Sequence, residues 1–164
     1  MVIRPETSAD WPAIRRVTEI AFRGRPYAGG DEQDVIERLR ARDALTLSLV
    51  AEDAGEVVGQ VTFSPVESGD GSQPWYALGP ISVLPGRQGA GIGARLIEAG
   101  LSEIEAQGAL GCILTGNPEY YVRFGFSLSP DNTPVAESPD HFMLKRFRGE
   151  PPRGRFSFHE AFYG

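Results

Sequence analysis

Residues 78–97 read Leu78-Gly79-Pro80-Ile81-Ser82-Val83-Leu84-Pro85-Gly86-Arg87-Gln88-Gly89-Ala90-Gly91-Ile92-Gly93-Ala94-Arg95-Leu96-Ile97. Three kinds of local structure follow one another there. The apolar, partly β-branched opening has strand composition, and Pro85-Gly86 ends it. Glycines follow, and then Ile92, Leu96, Ile97, Leu101 and Ile104 recur at the spacing of one helix face. A junction of strand, glycine turn and helix points backbone N–H groups outward. The helix dipole adds partial positive charge, so an anion such as pyrophosphate can be held without a cluster of lysines. Glycines at 89, 91 and 93 let a ligand approach the backbone closely, because no Cβ intervenes. The same glycines also suit a plain strand-to-helix connection, so the pattern alone leaves both readings open.

Two nucleotide-binding motifs fit this stretch poorly or not at all. The dinucleotide fingerprint G-x-G-x-x-G is met imperfectly, because Gly89-Ala90-Gly91-Ile92-Gly93-Ala94 has glycine at every second position and lies mid-chain. The nucleoside triphosphate loop G-x-x-x-x-G-K-[ST] fails, since Gly-Lys-Ser and Gly-Lys-Thr occur nowhere.

Working outward, Trp75 to Leu84 is a candidate buried strand, and Gly108 closes the helix that follows the glycines. Leu47 to Ala51 and Val57 to Phe63 read as a hairpin around Asp53-Ala54-Gly55-Glu56. Before it, Val2 to Arg4 suits a short strand. Thr7-Ser8-Ala9-Asp10 offers a cap for a helix bearing Ile14, Val17, Ala21 and Phe22, and Glu32 to Arg40 suits a second helix. After Gly108 come a short strand at Leu110 to Thr115, a short helix at Pro118 to Phe124 and a strand starting at Phe126. His141 to Phe147 and Arg155 to His159 follow as further strands. Repeats and linkers are lacking, so one domain over 1–164 is expected, with a motif core of about 2–147 and a C-terminal strand segment at 148–164. The mixture gives an α/β or α+β single sheet.

The chain has 164 residues and a formal charge of -6, which argues against a broad nucleic-acid or anionic-membrane surface and requires any anion to be held locally. Apolar runs stay far short of the roughly 18 residues that span a bilayer. The single Cys112 and an opening without signal-peptide character lead to the expectation of a reducing cytoplasm. His and Cys spacing suits no metal site.

Gln88, Gly91 and Gly93 also match the signature Q/R-x-x-G-x-G/A, and at this point the chain resembles the GNAT superfamily of N-acetyltransferases. It looks like the bacterial branch with Leu-Gly-Pro ahead of the glycine turn. The likeness extends to Pro118-Glu119-Tyr120-Tyr121-Val122-Arg123-Phe124-Gly125-Phe126, to the opening Ile3-Arg4-Pro5-Glu6-Thr7 and to the closing Phe158-His159-Glu160-Ala161-Phe162. The resemblance implies one twisted, mixed, mostly antiparallel sheet of six to seven strands with helices on both faces, and acyl-CoA in the gap where the fourth and fifth strands splay. It implies pantetheine on the backbone of Ile81 and Val83, with Ser82 beside them as a further cofactor contact, and pyrophosphate on Gln88, Gly89, Ala90, Gly91, Ile92, Gly93 and Ala94. Asn117 and Phe124 are further candidate cofactor contacts. The reaction implied is transfer of acetyl from acetyl-CoA, as cosubstrate, to an amine.

That chemistry needs an acid for the departing thiolate, and the family's Y-x-x-x-G-F motif points to Tyr121. Phenols titrate near 10 and thiols near 8.5, so a tyrosine can donate at neutral pH. Tyr120, Tyr121 and Phe124 equally suit simple packing of a short helix on the sheet, and Asn117 suits a helix cap. The base is open: the family's strand-four carboxylate has no counterpart in Trp75 to Pro80, which leaves Glu67, Tyr27, His159 and Glu160. Arg87 and Arg123 could meet phosphates or only water, and Cys112 reads as a small hydrophobe. A non-catalytic acyl-CoA-binding module and a Rossmann-type nucleotide binder are the competing functions. The acceptor is unreadable from these residues, and a homodimer through an edge strand is a possibility.

Overall fold

The computed structural model describes residues 1–26 and 28–164. Its strands are β1 (Val2–Pro5), β2 (Leu47–Asp53), β3 (Glu56–Val66), β4 (Trp75–Val83), β5 (Gly111–Thr115), β6 (Ser127–Leu128) and β7 (Phe142–Arg146). They form one seven-stranded sheet in the order β1-β2-β3-β4-β5-β7-β6. Every neighbouring pair is antiparallel except β4 and β5. The helices are α1 (Trp11–Phe22), α2 (Glu32–Ala41), α3 (Ile92–Ala106) and the single turn α4 (Pro118–Tyr121).

Strand alternation assigns the two faces. Leu49 and Ala51 of β2 join Leu96, Ile97, Leu101 and Ile104 of α3 in the larger core cluster. Val50, between them, packs instead with Ile14 and Val17 of α1 and Ile36 of α2. Further along the same sheet, Ala77 of β4 and Ile113 of β5 face a third cluster with Trp75, Phe142 and Phe156, while Leu78, Cys112 and Leu114 face α3. Helices therefore cover both faces, and the C-terminal segment completes the α1–α2 side.

The docking of α3 is fixed by a close approach. A Cβ on Gly100 would stand 2.2 Å from Phe63 Cε1, and one on Gly59 would stand 3.2 Å from Leu96 Cδ1. Helix and strand thus meet glycine against side chain from both directions, which sets how far the N-terminus of α3 lies from the end of β4.

The expected strand at Arg155 to His159 is absent as a ladder. Ser157 makes one isolated bridge to Glu67, Phe156 donates its N–H to Asn132 O, and the chain ends in a 3-10 turn at Glu160–Phe162. A reciprocal pair of backbone bonds between Ser157 and Glu67 and one bond to Asn132, with Phe156 buried against Trp75, hold this stretch where the sequence pattern suits a paired strand. The short helix predicted at Pro118 to Phe124 splits into α4 and a 3-10 turn at Val122–Phe124, closed by Gly125 at φ 90°. Phe126 lies just outside β6, buried in the core facing α3.

Replacing Gly100 with alanine forces a methyl into the Phe63 ring. Gly100→Ala should cost about 2 kcal/mol or more of stability, read as a lower urea midpoint at unchanged slope.

Candidate active site

The pairing of β4 with β5 is brief. It runs Trp75↔Gly111, Tyr76↔Cys112 and Ala77↔Ile113 and then stops, although β4 continues to Val83 against β3 and β5 continues to Thr115 against β7. The cause lies in β4. Val61 pairs with Ile81 and Phe63 with Leu78, so Thr62 alone spans Gly79 and Pro80, which is a β-bulge. Buried side chains secure it: Gln60 Nε2 donates to Pro80 O at 3.2 Å and to Ser82 Oγ at 2.8 Å, and Thr62 Oγ1 donates to Pro80 O at 3.0 Å.

Beyond the bulge the peptide groups change sides. Leu84 N–H donates to Val58 O at 2.9 Å, so by alternation Ser82 also faces β3, while Ile81 and Val83 turn their peptide groups into the gap left by β5. Of the three expected strand contacts, Ile81 and Val83 thus turn their peptide groups to the gap. The Ser82 side chain is turned away, bonded to Thr18 Oγ1 at 3.1 Å under α1.

The gap runs into the glycine turn. Gly89 and Gly91 both have φ 82°, the left-handed region that favours glycine, and Gly91 caps α3 without any side-chain bond. Arg95 N–H is the first amide of the helix to find a helical acceptor, Gly91 O at 3.1 Å. The amides from Gly89 to Ala94 have no backbone acceptor among the described residues, as the first turn of any helix requires.

Gly93 has a different reason to be glycine. It lies inside α3 with ordinary helical backbone, and a Cβ there would meet only Tyr120 Oη at 3.6 Å and Val83 Cγ2 at 3.8 Å, both normal contacts. Glycine at such a helical position costs about 1 kcal/mol relative to alanine. The protein's own packing does not demand that cost.

The cations divide. Arg87 is held by Asp53, whose carboxyl is pushed below its ordinary pKa by that guanidinium. Arg123 stacks 4.6 Å over the Tyr120 ring. Arg25 reaches the turn from the α1–α2 loop and approaches Gln88 Oε1 with Nη2 at 3.4 Å, while Gln88 Nε2 donates to Val83 O at 3.0 Å. Arg25 carries no motif in the sequence, because residues 23–30 have no periodicity that would place them. That loop also borders an open cavity of about 470 Å³ lined in part by Phe22, Arg25, Glu32 and Gln33.

On the opposite wall, Asn117 caps α4 by accepting Glu119 N–H at 3.0 Å. The Tyr121 ring lies over Gly116, where a Cβ would come within 2.6 Å of it, and meets Phe126 edge-on at 6.1 Å. Phe124 is buried in the core facing α3, and its carbonyl accepts from Lys145 Nζ at 2.6 Å. Among the candidate bases, Glu67 is exposed at the end of β3, and Glu160 is exposed near Arg42. His159 uses Nδ1 to accept Ala161 N–H at 3.1 Å, and Tyr27 lies outside the described residues. Cys112 is fully buried with its thiol pKa pushed up by burial, which suits packing and not nucleophilic attack. Among the described residues no cluster of His, Cys, Asp or Glu could hold a metal ion, and no helix is long and apolar enough to cross a membrane.

Comparison with known proteins agrees with this geometry. The profile of the acetyltransferase (GNAT) family matches residues 11–126. The N-acetyltransferase YhbS of Escherichia coli is 34% identical over 130 residues, covering 79% of this chain and 75% of its own. Among solved structures, a GNAT family acetyltransferase from Brucella melitensis in complex with acetyl-CoA is 45% identical. It has a TM-score of 0.87 over 98% of this chain and 97% of its own. YhbS in complex with CoA also has a TM-score of 0.87, at 29% identity over 99% of this chain and 92% of its own.

Since packing around Gly93 has room for a methyl, Gly93→Ala should keep or raise the melting temperature, by about 2–4 °C if the full helix-propensity gain is realised. Gly91→Ala, which must hold φ 82°, should lower it.

Proposed function

The chain belongs to the GNAT acetyltransferase family, and from that premise we propose that it moves an acetyl group from acetyl-CoA to a primary amine of a small molecule or peptide by direct transfer. The observation that carries this reading is the meeting of two features at one sheet edge. The strand gap exposes the Ile81 and Val83 peptide groups, and the helix N-terminus presents amides with no internal acceptor. Together they suit a ligand with an extended amide-bearing arm ending in a pyrophosphate.

Acetyl-CoA supplies the activated acyl carbon, and the chain binds, orients and manages protons. The amides from Gly89 to Ala94 hold the pyrophosphate, helped by the α3 dipole. Ile81 and Val83 continue the strand pairing onto the pantetheine, and Gln88 keeps Val83 O satisfied until that pairing forms. An amide at the splay polarises the thioester carbonyl, an electrostatic role that leaves no side-chain trace. Tyr121 gives its proton to the departing sulfur. Because β4 carries no carboxylate, the proton of the attacking amine leaves through water. The cavity of the α1–α2 loop, beside Arg25 and hence beside the glycine turn, supplies the acceptor side.

The test follows free thiol release from acetyl-CoA with a panel of primary amines. At least one amine should stimulate release, and Tyr121→Phe should lower kcat about 100-fold while KM for acetyl-CoA stays within about threefold. Tight binding with no thiol release across the panel would favour a non-catalytic acyl-CoA-binding module, and no binding by folded protein would overturn the proposal.

A further inference from the structure

Tyr120 is half-buried beside the gap and has no role in the mechanism above. Its ring is clamped by three neighbours. Tyr121 meets it edge-on at 5.0 Å, Phe124 at 5.4 Å, and the Arg123 guanidinium lies 4.6 Å from its centroid while Arg123 Nε donates to Tyr120 O at 2.9 Å. Each of these contacts uses the ring or the backbone, and phenylalanine would make them equally well.

The hydroxyl is therefore left to account for. It points across the mouth of the gap to α3 and lies 3.6 Å from where a Cβ of Gly93 would stand, a point 3.8 Å from Val83 Cγ2. It has no hydrogen-bond partner among the described residues. The oxygen is not one of the buried polar atoms that lack a partner, so it is open to solvent at the mouth of the gap and placed to donate to a ligand acceptor there. Burial pushes the phenol's pKa up, against a smaller opposing pull from Arg123, so the group remains a donor at neutral pH. With one wall from the strand at Val83 and one from the helix at Gly93, a ligand arm running from the β4 backbone to the α3 amides passes beneath it.

Resting on the acyl-CoA reading of this gap, we propose that the Tyr120 hydroxyl donates a hydrogen bond to a carbonyl oxygen of the pantetheine arm. The adjacent tyrosines then divide the work: Tyr120 holds the cosubstrate and Tyr121 delivers the proton. Arg123 acts through Tyr120 as a positioning residue, by fixing the ring face and the backbone carbonyl together.

The experiment is calorimetric titration with acetyl-CoA of wild type, Tyr120→Phe and Tyr120→Leu, each checked by thermal melting. Tyr120→Phe keeps the ring, so its melting temperature should match wild type while its Kd for acetyl-CoA rises about 5- to 10-fold, the loss expected for one hydrogen bond. Tyr120→Leu should lose at least as much affinity and also melt lower. A purely structural tyrosine would leave the Kd of Tyr120→Phe within about twofold of wild type, and that result overturns the proposal alone. Failure of folded wild type to bind acetyl-CoA removes the premise itself, so the two failures are told apart.

Discussion

The site depends on one carbonyl. Pro80 O is held by Gln60 Nε2 and Thr62 Oγ1, and this pair of bonds keeps β4 bulged at Gly79 and Pro80, where an unsupported strand would return to regular register. The bulge reverses which residues of β4 face outward, so the strand that pairs with β5 up to Ala77 presents Ile81 and Val83 to open space a few residues later. Gln60 and Thr62 are fully buried polar residues in the middle of a core strand, an expensive placement that makes sense as the means of holding this break. The β5 strand is not idle where it departs, because it continues against β7 to Thr115 and carries the chain to the wall bearing Tyr120 and Tyr121.

An acidic chain that binds a polyanion must meet its charge with something other than a basic surface. Two of the arginines near the turn are engaged elsewhere, Arg87 with Asp53 and Arg123 with the Tyr120 ring. The turn itself offers backbone: a row of amides at the end of a helix, shaped by two glycines in the left-handed region and one glycine in ordinary helical backbone. These are different uses of the same residue. Gly89 and Gly91 make the turn, and Gly93 clears the space in front of it. Arg25 adds a side-chain cation, and its contact with Gln88 ties the α1–α2 loop to the turn.

How much of this could be read in the sequence follows from what each signal measures. Helix periodicity at Ile92, Leu96, Ile97, Leu101 and Ile104 and glycine spacing before it are local properties, and they located α3 and its turn. The splay is a pairing property of two strands more than thirty residues apart, and it was reached through the family resemblance, since Trp75 to Leu84 looks like any buried strand. Ser82 shows the limit of a contiguous motif: adjacent strand residues face opposite ways, and its side chain is bonded to Thr18 under α1. Arg155 to His159 failed for a related reason, because alternating aromatics report burial and not a hydrogen-bonded neighbour. Tyr120 was legible as packing, and only its distance to Gly93 separates the ring from the hydroxyl. Arg25 sits in an aperiodic loop and left no trace.

In the proposed function the strand gap and the glycine turn form one continuous acyl-CoA cradle. It is tested most directly by following backbone amide resonances of the ¹⁵N-labelled protein as CoA is added. The account predicts saturable shifts at Gly89 to Ala94 together with Ile81 and Val83, all with a single Kd. Shifts confined to one of the two segments, or to residues remote from both, would contradict it.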